Sequence, residues 1–196
     1  MAQLYFIYGT MNTGKSMNLL SVVHNYKERG MSTLVLKPGI DNRDSVNEVV
    51  SRTGLKTPCD IITDGMDIVE FFKYKSAQKD IHCVLVDEAQ FLSPEHVQDL
   101  CKIVDEYNTP VMCYGLKTDF QAKLFEGSKE LLIWADKLIE TKTVCHCGRK
   151  TTMVAKMDEN GNPVVLGDQI DVGGNEKYVS LCRKHYMEFV NINSSN

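Results

Sequence analysis

Gly9-Thr10-Met11-Asn12-Thr13-Gly14-Lys15-Ser16 is the stretch of this chain whose spacing most directly specifies chemistry. It fits G-x-x-x-x-G-K-[ST] at every fixed position. Each fixed residue answers a need of a bound polyphosphate. Glycines let successive backbone N–H groups turn inward around anionic oxygens. A helix beginning near Lys15 aims its positive end at the same anion. Lys15 reaches the β- and γ-phosphates, and Ser16 holds Mg²⁺. Residues 9–16 are therefore the expected ATP-binding loop.

A second stretch supplies acids. Val84-Leu85-Val86 is apolar, and Asp87-Glu88-Ala89-Gln90-Phe91 follows it. In open α/β sheets ligands bind beyond the carboxyl ends of the strands. Asp87 is thus placed to hold Mg²⁺ through water, the Walker B role. Glu88 is a candidate base that orients a hydroxyl or a water. An ATPase would use it on water, and a kinase on a substrate hydroxyl. The order Asp-Glu-Ala also suggests a helicase signature, but such enzymes need two such domains and many basic groups.

A third cluster is metal-like. Cys145-His146-Cys147 and Cys182-Arg183-Lys184-His185 are two paired-ligand stretches. Three thiolates and one imidazole make a closed, structural Zn²⁺ site. The expected ligands are Cys145, Cys147, Cys182 and His185, with His146 a competitor because the first pair is a tight C-x-C. Such a zinc would clamp the base of the Gly-rich loop between the pairs.

The elements that must position these groups follow from pattern. Residues 4–8 read as a strand, 17–29 as a helix stopped by Gly30, and 33–37 as a strand. Residues 38–58 read as a long polar loop. A short strand at 60–62, a helix at 67–77 and a strand at 81–86 come next, the last apolar throughout, as for burial on both faces. Ser93 as N-cap and Pro94 at the first helical position start a helix that runs to Glu106. Residues 111–114 read as a strand, 128–134 as a helix and 137–140 as a strand. This alternation predicts a parallel α/β sheet for residues 1–140. Residues 141–196 look like a small β-rich appendage. They hold an apolar run at 151–157, an Asn160-Gly161 turn, a second run at 164–166 and a strand at 178–182.

The chain has 196 residues and a net charge of -4, with 43% hydrophobic and 24% charged residues. That is globular composition, long enough for a sizeable core. Residues 141–196 carry seven Lys/Arg and six Asp/Glu, so 7 − 6 = +1, which is no basic patch. Neither nucleic acid nor a membrane is an expected partner. Of seven cysteines, Cys59, Cys83, Cys101 and Cys113 lie in or beside apolar runs and read as small core residues. No basic leader or membrane-length run is present, so a cytoplasmic protein with reduced thiols is expected. Three readings stand at this point. They are a kinase, an ATPase-type module acting on nucleic acid through its zinc ribbon, and a zinc protein with a relic nucleotide site.

Taken together, these pieces resemble a type II thymidine kinase over nearly the whole chain. The resemblance rests on residues 9–16, Asp87-Glu88-Ala89-Gln90-Phe91, Tyr114-Gly115-Leu116, Asp119-Phe120-Gln121, Phe125-Glu126-Gly127, and Val172-Gly173-Gly174 with Tyr178. It implies a RecA-like P-loop domain joined to a zinc-held domain with a lasso loop. It implies ATP, Mg²⁺ and structural Zn²⁺ as cofactors, with Asp87 and Gln90 joining the ATP site. Glu88 would act on the 5′-hydroxyl of thymidine. Met11, Leu116, Phe120 and Phe125 would line the thymine pocket. The lasso near 169–178, with Val172, Gly173, Gly174 and Tyr178, would close over the base. Asp41 and Arg43 would belong to a phosphate-side loop. Feedback binding of dTTP and a homotetramer are implied as well.

Overall fold

A computed structural model describes residues 1–39, 47–169 and 177–191. Six parallel strands form the main sheet. They are β1 (Leu4–Gly9), β2 (Thr33–Pro38), β5 (Asp60–Ile62), β6 (Cys83–Val86), β7 (Val111–Leu116) and β8 (Lys137–Glu140). Their spatial order is β5-β2-β6-β7-β1-β8. β7 therefore lies between the strand that leads into Gly9–Ser16 and the strand that ends at Asp87.

Strand alternation sends consecutive side chains to opposite faces, and both faces are covered. Ile7, Val35, Cys83, Leu85 and Tyr114 pack with Leu19 and Leu20 of α1 (Lys15–Glu28). Leu4, Phe6, Leu34, Leu36, Val84 and Val86 pack on the other face. There they meet α2 (Ile68–Ser76), α3 (Pro94–Tyr107) and α4 (Glu126–Trp134) through Ile68, Val97, Leu100, Ile103 and Leu131. β6 contributes to both cores, as its unbroken apolar run requires. Cys83 and Cys113 are fully buried, and Cys59 and Cys101 pack partly buried against the two cores.

Local signals explain the helix starts. Asp67 accepts from the N–H of Glu70, and Ser93 accepts from that of His96. The imidazole of His96 accepts in return from Ser93 N–H, so histidine completes the capping box.

Two regions differ from the sequence reading. The polar stretch after β2 contains a short antiparallel pair, β3 (Glu48–Val50) and β4 (Lys56–Pro58). Val49 is buried against α1's core, which a stretch of mixed polarity did not advertise. The last described segment is a helix, α5 (Arg183–Asn191). Its apolar Tyr186, Phe189 and Val190 follow i, i+3, i+4 spacing and pack on a third, small core with Cys145, Ala155, Leu181 and Cys182. That core backs an antiparallel sheet of β10 (Pro163–Val164), β9 (Met153–Met157) and β11 (Tyr178–Leu181). The Asn160-Gly161 turn joins β9 to β10, with the Asp158 carboxylate accepting from the N–H groups of Asn160 and Asn162.

Candidate active site

The phosphate loop leaves β1 and enters α1 through Gly14, whose φ of 76° lies in the left-handed region that glycine tolerates. Asn12 has φ 65°, so two residues of the loop curl its backbone in this sense. The Lys15 ammonium donates to the Thr10 carbonyl at 2.8 Å and to Thr13 Oγ1 at 3.3 Å. Burial lowers its pKa, while the Glu88 and Asp87 carboxylates pull it back up. Both acids thus lie within electrostatic reach of the loop's cation, although they are over 70 residues away in sequence.

At the end of β6, Asp87 is 6% exposed. Its N–H donates to the Leu36 carbonyl at 2.9 Å, extending the ladder with β2. Burial and the neighbouring Glu88 charge raise its pKa to about 7, against the pull of the Ser16 hydroxyl and Lys37. Glu88 has φ 50° and ψ 38°, a left-handed conformation that costs a non-glycine residue about 1 kcal/mol. Here the strand direction is abandoned, and the Ala89–Phe91 turn begins. Gln90, 1% exposed, stabilises this break. Its amide nitrogen donates to the Glu88 carboxylate at 2.5 Å, and its carbonyl accepts from Leu116 N–H at 3.0 Å. The Gln90 side chain is therefore directed at Glu88 and the end of β7. Two glycines allow the turn to pack. A Cβ at Gly115 would come within 2.8 Å of the Gln90 side chain, and one at Gly127 within 2.5 Å of the Ala89 carbonyl.

Of the residues expected to line a pocket, Leu116 and Phe125 lie beside this turn. Met11, Phe120 and Phe125 are buried, and Leu116 is half-buried. Phe125 meets Phe91 edge-to-face, with centroids 5.6 Å apart. Tyr178 lies at the start of β11, opposite Lys156 of β9. The Lys156 ammonium sits 5.0 Å from the Phe120 ring and 6.0 Å from that of Tyr178. Val172, Gly173, Gly174, Asp41 and Arg43 lie outside the described residues.

Sequence reasoning missed the scaffold of this pocket. The Asp119 carboxylate accepts from Gln121 and Lys123 N–H, at 2.8 Å each, and from the Gln169 amide at 2.9 Å. Gln121 donates to the Gly167 carbonyl at 2.8 Å. Tyr186 of α5 donates to the Phe120 carbonyl at 2.8 Å. An Asp two residues before an amide is a recognisable turn signal. The long-range partners left no trace in spacing.

Cys145, Cys147, Cys182 and His185 present ligand atoms that all lie within 4.8 Å of one another. Tetrahedral zinc with Zn–S about 2.3 Å and Zn–N about 2.0 Å needs edges of about 3.8 Å (S···S) and about 3.5 Å (S···N). Cys147 and Cys182 sulfurs are 3.9 Å apart, and His185 Nδ1 lies 3.3 and 3.5 Å from the Cys145 and Cys182 sulfurs. The donor set fits zinc. Burial works against ionising Cys145, but the N–H groups of Cys147 and Cys182 and the His185 ring bring its thiol down to about 6, close to the thiolate a metal takes. His185 Nε2 faces the Glu188 carboxylate at 3.6 Å, the outer partner expected of a metal-ligating imidazole. His146 is exposed and stacks on His185 at 4.2 Å, outside the four-ligand group.

A loop with the glycine-lysine spacing of a phosphate loop, a buried acid at the end of the strand next but one and a covered parallel sheet define a P-loop protein of the α/β class, here with a Cys/His ribbon. A family profile described as thymidine kinase matches residues 2–186. The chain is 66% identical over 188 residues to a thymidine kinase of Enterobacteria phage T4, covering 96% of this chain and 97% of that one. It is 53% identical over 190 residues to a thymidine kinase of Yersinia pseudotuberculosis, covering 97% of each. A Vibrio cholerae thymidine kinase is 52% identical over 188 residues, covering 96% and 98%. The chain belongs to the thymidine kinase family. Among the described residues, no helix is long and apolar enough to cross a membrane.

Proposed function

We propose that this chain transfers the γ-phosphoryl group of ATP to the 5′-hydroxyl of thymidine, giving thymidine monophosphate and ADP. The observation that carries the reading is that Asp87 and Glu88, at the end of β6, act electrostatically on Lys15, beyond the end of β1 on the other side of β7, in a member of this family. Backbone N–H groups of residues 9–16 hold the ATP phosphates, and Lys15 balances the charge that moves to the leaving ADP. Ser16 and Asp87 hold Mg²⁺, which neutralises the β- and γ-oxygens when bound. Glu88 orients the acceptor hydroxyl and takes its proton late, because the transition state is loose. Gln90 completes the ATP side and keeps Glu88 in place.

Met11, Leu116, Phe120, Phe125 and Tyr178 enclose the base. Val172, Gly173 and Gly174 offer backbone groups, a carbonyl for thymine N3–H and an N–H for a thymine carbonyl. Structural Zn²⁺ on Cys145, Cys147, Cys182 and His185 holds residues 141–196 as a unit beside a P-loop domain of residues 1–140. The same reading carries a cytoplasmic salvage role, feedback binding of dTTP and a homotetramer.

The test is kcat/KM for thymidine, deoxyuridine and deoxycytidine at fixed ATP and Mg²⁺. Cytosine presents an acceptor and an amino donor where thymine presents the reverse, which mismatches two pairs at about 1–3 kcal/mol each. Deoxycytidine should fall roughly 10²–10⁴-fold below thymidine. Deoxyuridine, lacking one methyl worth about 1–3 kcal/mol, should be a poorer substrate. Deoxycytidine within tenfold of thymidine would overturn the assignment.

A further inference from the structure

Three hydroxyls from the far end of the chain are committed to the phosphate loop. Thr151 Oγ1 lies 2.9 Å from Thr10 Oγ1, and both residues are buried. Thr141 Oγ1 lies 2.8 Å from Thr13 Oγ1 and 3.1 Å from the Tyr8 carbonyl, to which its backbone N–H donates at 2.7 Å. Ser180 donates to the Met11 carbonyl at 2.9 Å. Thr10, Met11 and Thr13 are variable positions of the motif, and nothing in phosphate binding by backbone N–H groups requires hydroxyls there. Gly9 adds an independent sign of close fit, since a Cβ on it would come within 2.3 Å of Thr141 Oγ1.

The network ends on the loop's cation. A hydroxyl has one proton and two lone pairs. Thr13 Oγ1 meets as many partners, the Thr10 carbonyl at 3.1 Å, the Thr141 hydroxyl at 2.8 Å and the Lys15 ammonium at 3.3 Å. Thr10 likewise gives its carbonyl to Lys15 and its hydroxyl to Thr151. The two threonines that hold Lys15 are therefore the two that the C-terminal segment holds. Ser180 adds a link to the other substrate side, because it stands two residues from Tyr178 on β11, on the same face of the strand.

We propose that Thr141, Thr151 and Ser180 are positioning residues of the phosphate loop. They fix its receptive shape and connect it to the strand that carries Tyr178. The proposal rests on the loop's reading as the ATP site. It predicts that nucleotide affinity depends on residues of the C-terminal segment that touch no nucleotide. It also predicts that nucleotide and nucleoside raise each other's affinity by one common factor, as linkage requires.

The test uses the full-length, zinc-loaded protein and calorimetric binding of Mg²⁺–ADP. Thr151→Val keeps the side-chain shape and removes the hydroxyl. It should weaken ADP about five- to tenfold, as one hydrogen bond of this kind would, and raise the KM for ATP with kcat little changed. Thr151→Ser should restore both to within twofold. In a Thr10→Val background, Thr151→Val should add nothing to the loss of ADP affinity, since the remaining bond of the Thr151 hydroxyl, to the Thr143 carbonyl at 3.3 Å, does not reach the loop. Additive losses, or ADP binding by Thr151→Val within twofold of the parent, would overturn the proposal. Ser180→Ala is the second variant, should Thr151→Val not fold. It should bring the thymidine-induced gain in affinity for a non-hydrolysable ATP analogue close to one. A gain as large as the parent's would overturn the link through β11. The ADP measurement needs no thymidine, so it stands or fails apart from the nucleoside assignment.

Discussion

In the proposed site, the phosphate end and the nucleoside end are built on opposite plans. The phosphate end is eight consecutive residues, and its binding groups are mostly backbone N–H of a turn entering a helix. The proposed nucleoside end draws Met11 from that loop, Leu116 from the end of β7, Phe120 and Phe125 from the segment after it, and Tyr178 from β11. Its shape depends on bonds between distant residues, such as Asp119 with Gln169 and Tyr186 with Phe120. A site carried by local backbone announces itself by spacing. A site assembled from tertiary contacts does not, and its walls tolerate change one at a time. Glu88 stands where the two plans meet, held by Gln90 and turned out of the β6 direction by its positive φ.

That position makes Glu88 the place to break the comparison hardest. Glu88→Gln should lower kcat roughly 10²–10⁴-fold, the contribution of a positioned base. Binding of Mg²⁺–ADP should change little, because the phosphate loop keeps every N–H it uses. Retention of more than a tenth of turnover would remove Glu88 from the role of base.

The next effect is electrostatic and belongs to the phosphate end alone. Asp87, raised to about 7 by burial and by Glu88, must ionise to hold Mg²⁺. Between pH 6 and pH 8 its ionised share rises from about a tenth to about nine tenths, so Mg²⁺–nucleotide affinity should climb roughly tenfold. The sign for stability is the reverse. With its folded pKa above the unfolded one, Asp87 favours the folded chain at low pH, and that advantage is lost as pH rises through about 7 in the absence of Mg²⁺. Calorimetry in two buffers of different ionisation enthalpy should show proton release on binding. Asp87→Asn should flatten the pH dependence beyond that of the nucleotide itself, and an unchanged slope in that variant would assign it elsewhere. Thymidine affinity should not follow this curve.

How much of this could be read from residues alone follows the same division. The strand, loop and helix around Gly9–Ser16, the β6 strand ending at Asp87 and the Cys/His tetrad were all legible, because each is a local pattern with a fixed period or spacing. The parallel sheet followed from alternation of those patterns. β3 and β4 were not legible, since three-residue strands in polar sequence carry too few apolar positions to show a period. α5 has a signal in Tyr186, Phe189 and Val190, but it follows Cys182 with none of the usual capping residues, so the segment reads as part of the β-rich appendage. Phe120 and Phe125 read as ordinary core aromatics until the family resemblance placed them. The hydroxyls of Thr141, Thr151 and Ser180 gave no signal, for threonine and serine around a metal knuckle are unremarkable until their partners are seen.

Tyr186 gives the smallest test and the one that separates the two ends most cleanly. Its hydroxyl donates to the Phe120 carbonyl in a buried setting, from a helix that touches no residue of the phosphate loop through this bond. Tyr186→Phe keeps the ring in the small core with Leu181 and Cys182, so packing is conserved. What is lost is one hydrogen bond, worth about 1 kcal/mol. If that bond serves to seat Phe120 against the base, the KM for thymidine should rise about threefold while the KM for ATP and kcat stay level. If it serves the fold alone, thermal stability should drop with all three kinetic constants intact. A rise in the KM for ATP equal to that for thymidine would mean that the two ends are less separate than their construction implies, and that α5 reaches the phosphate loop through β11 and Ser180.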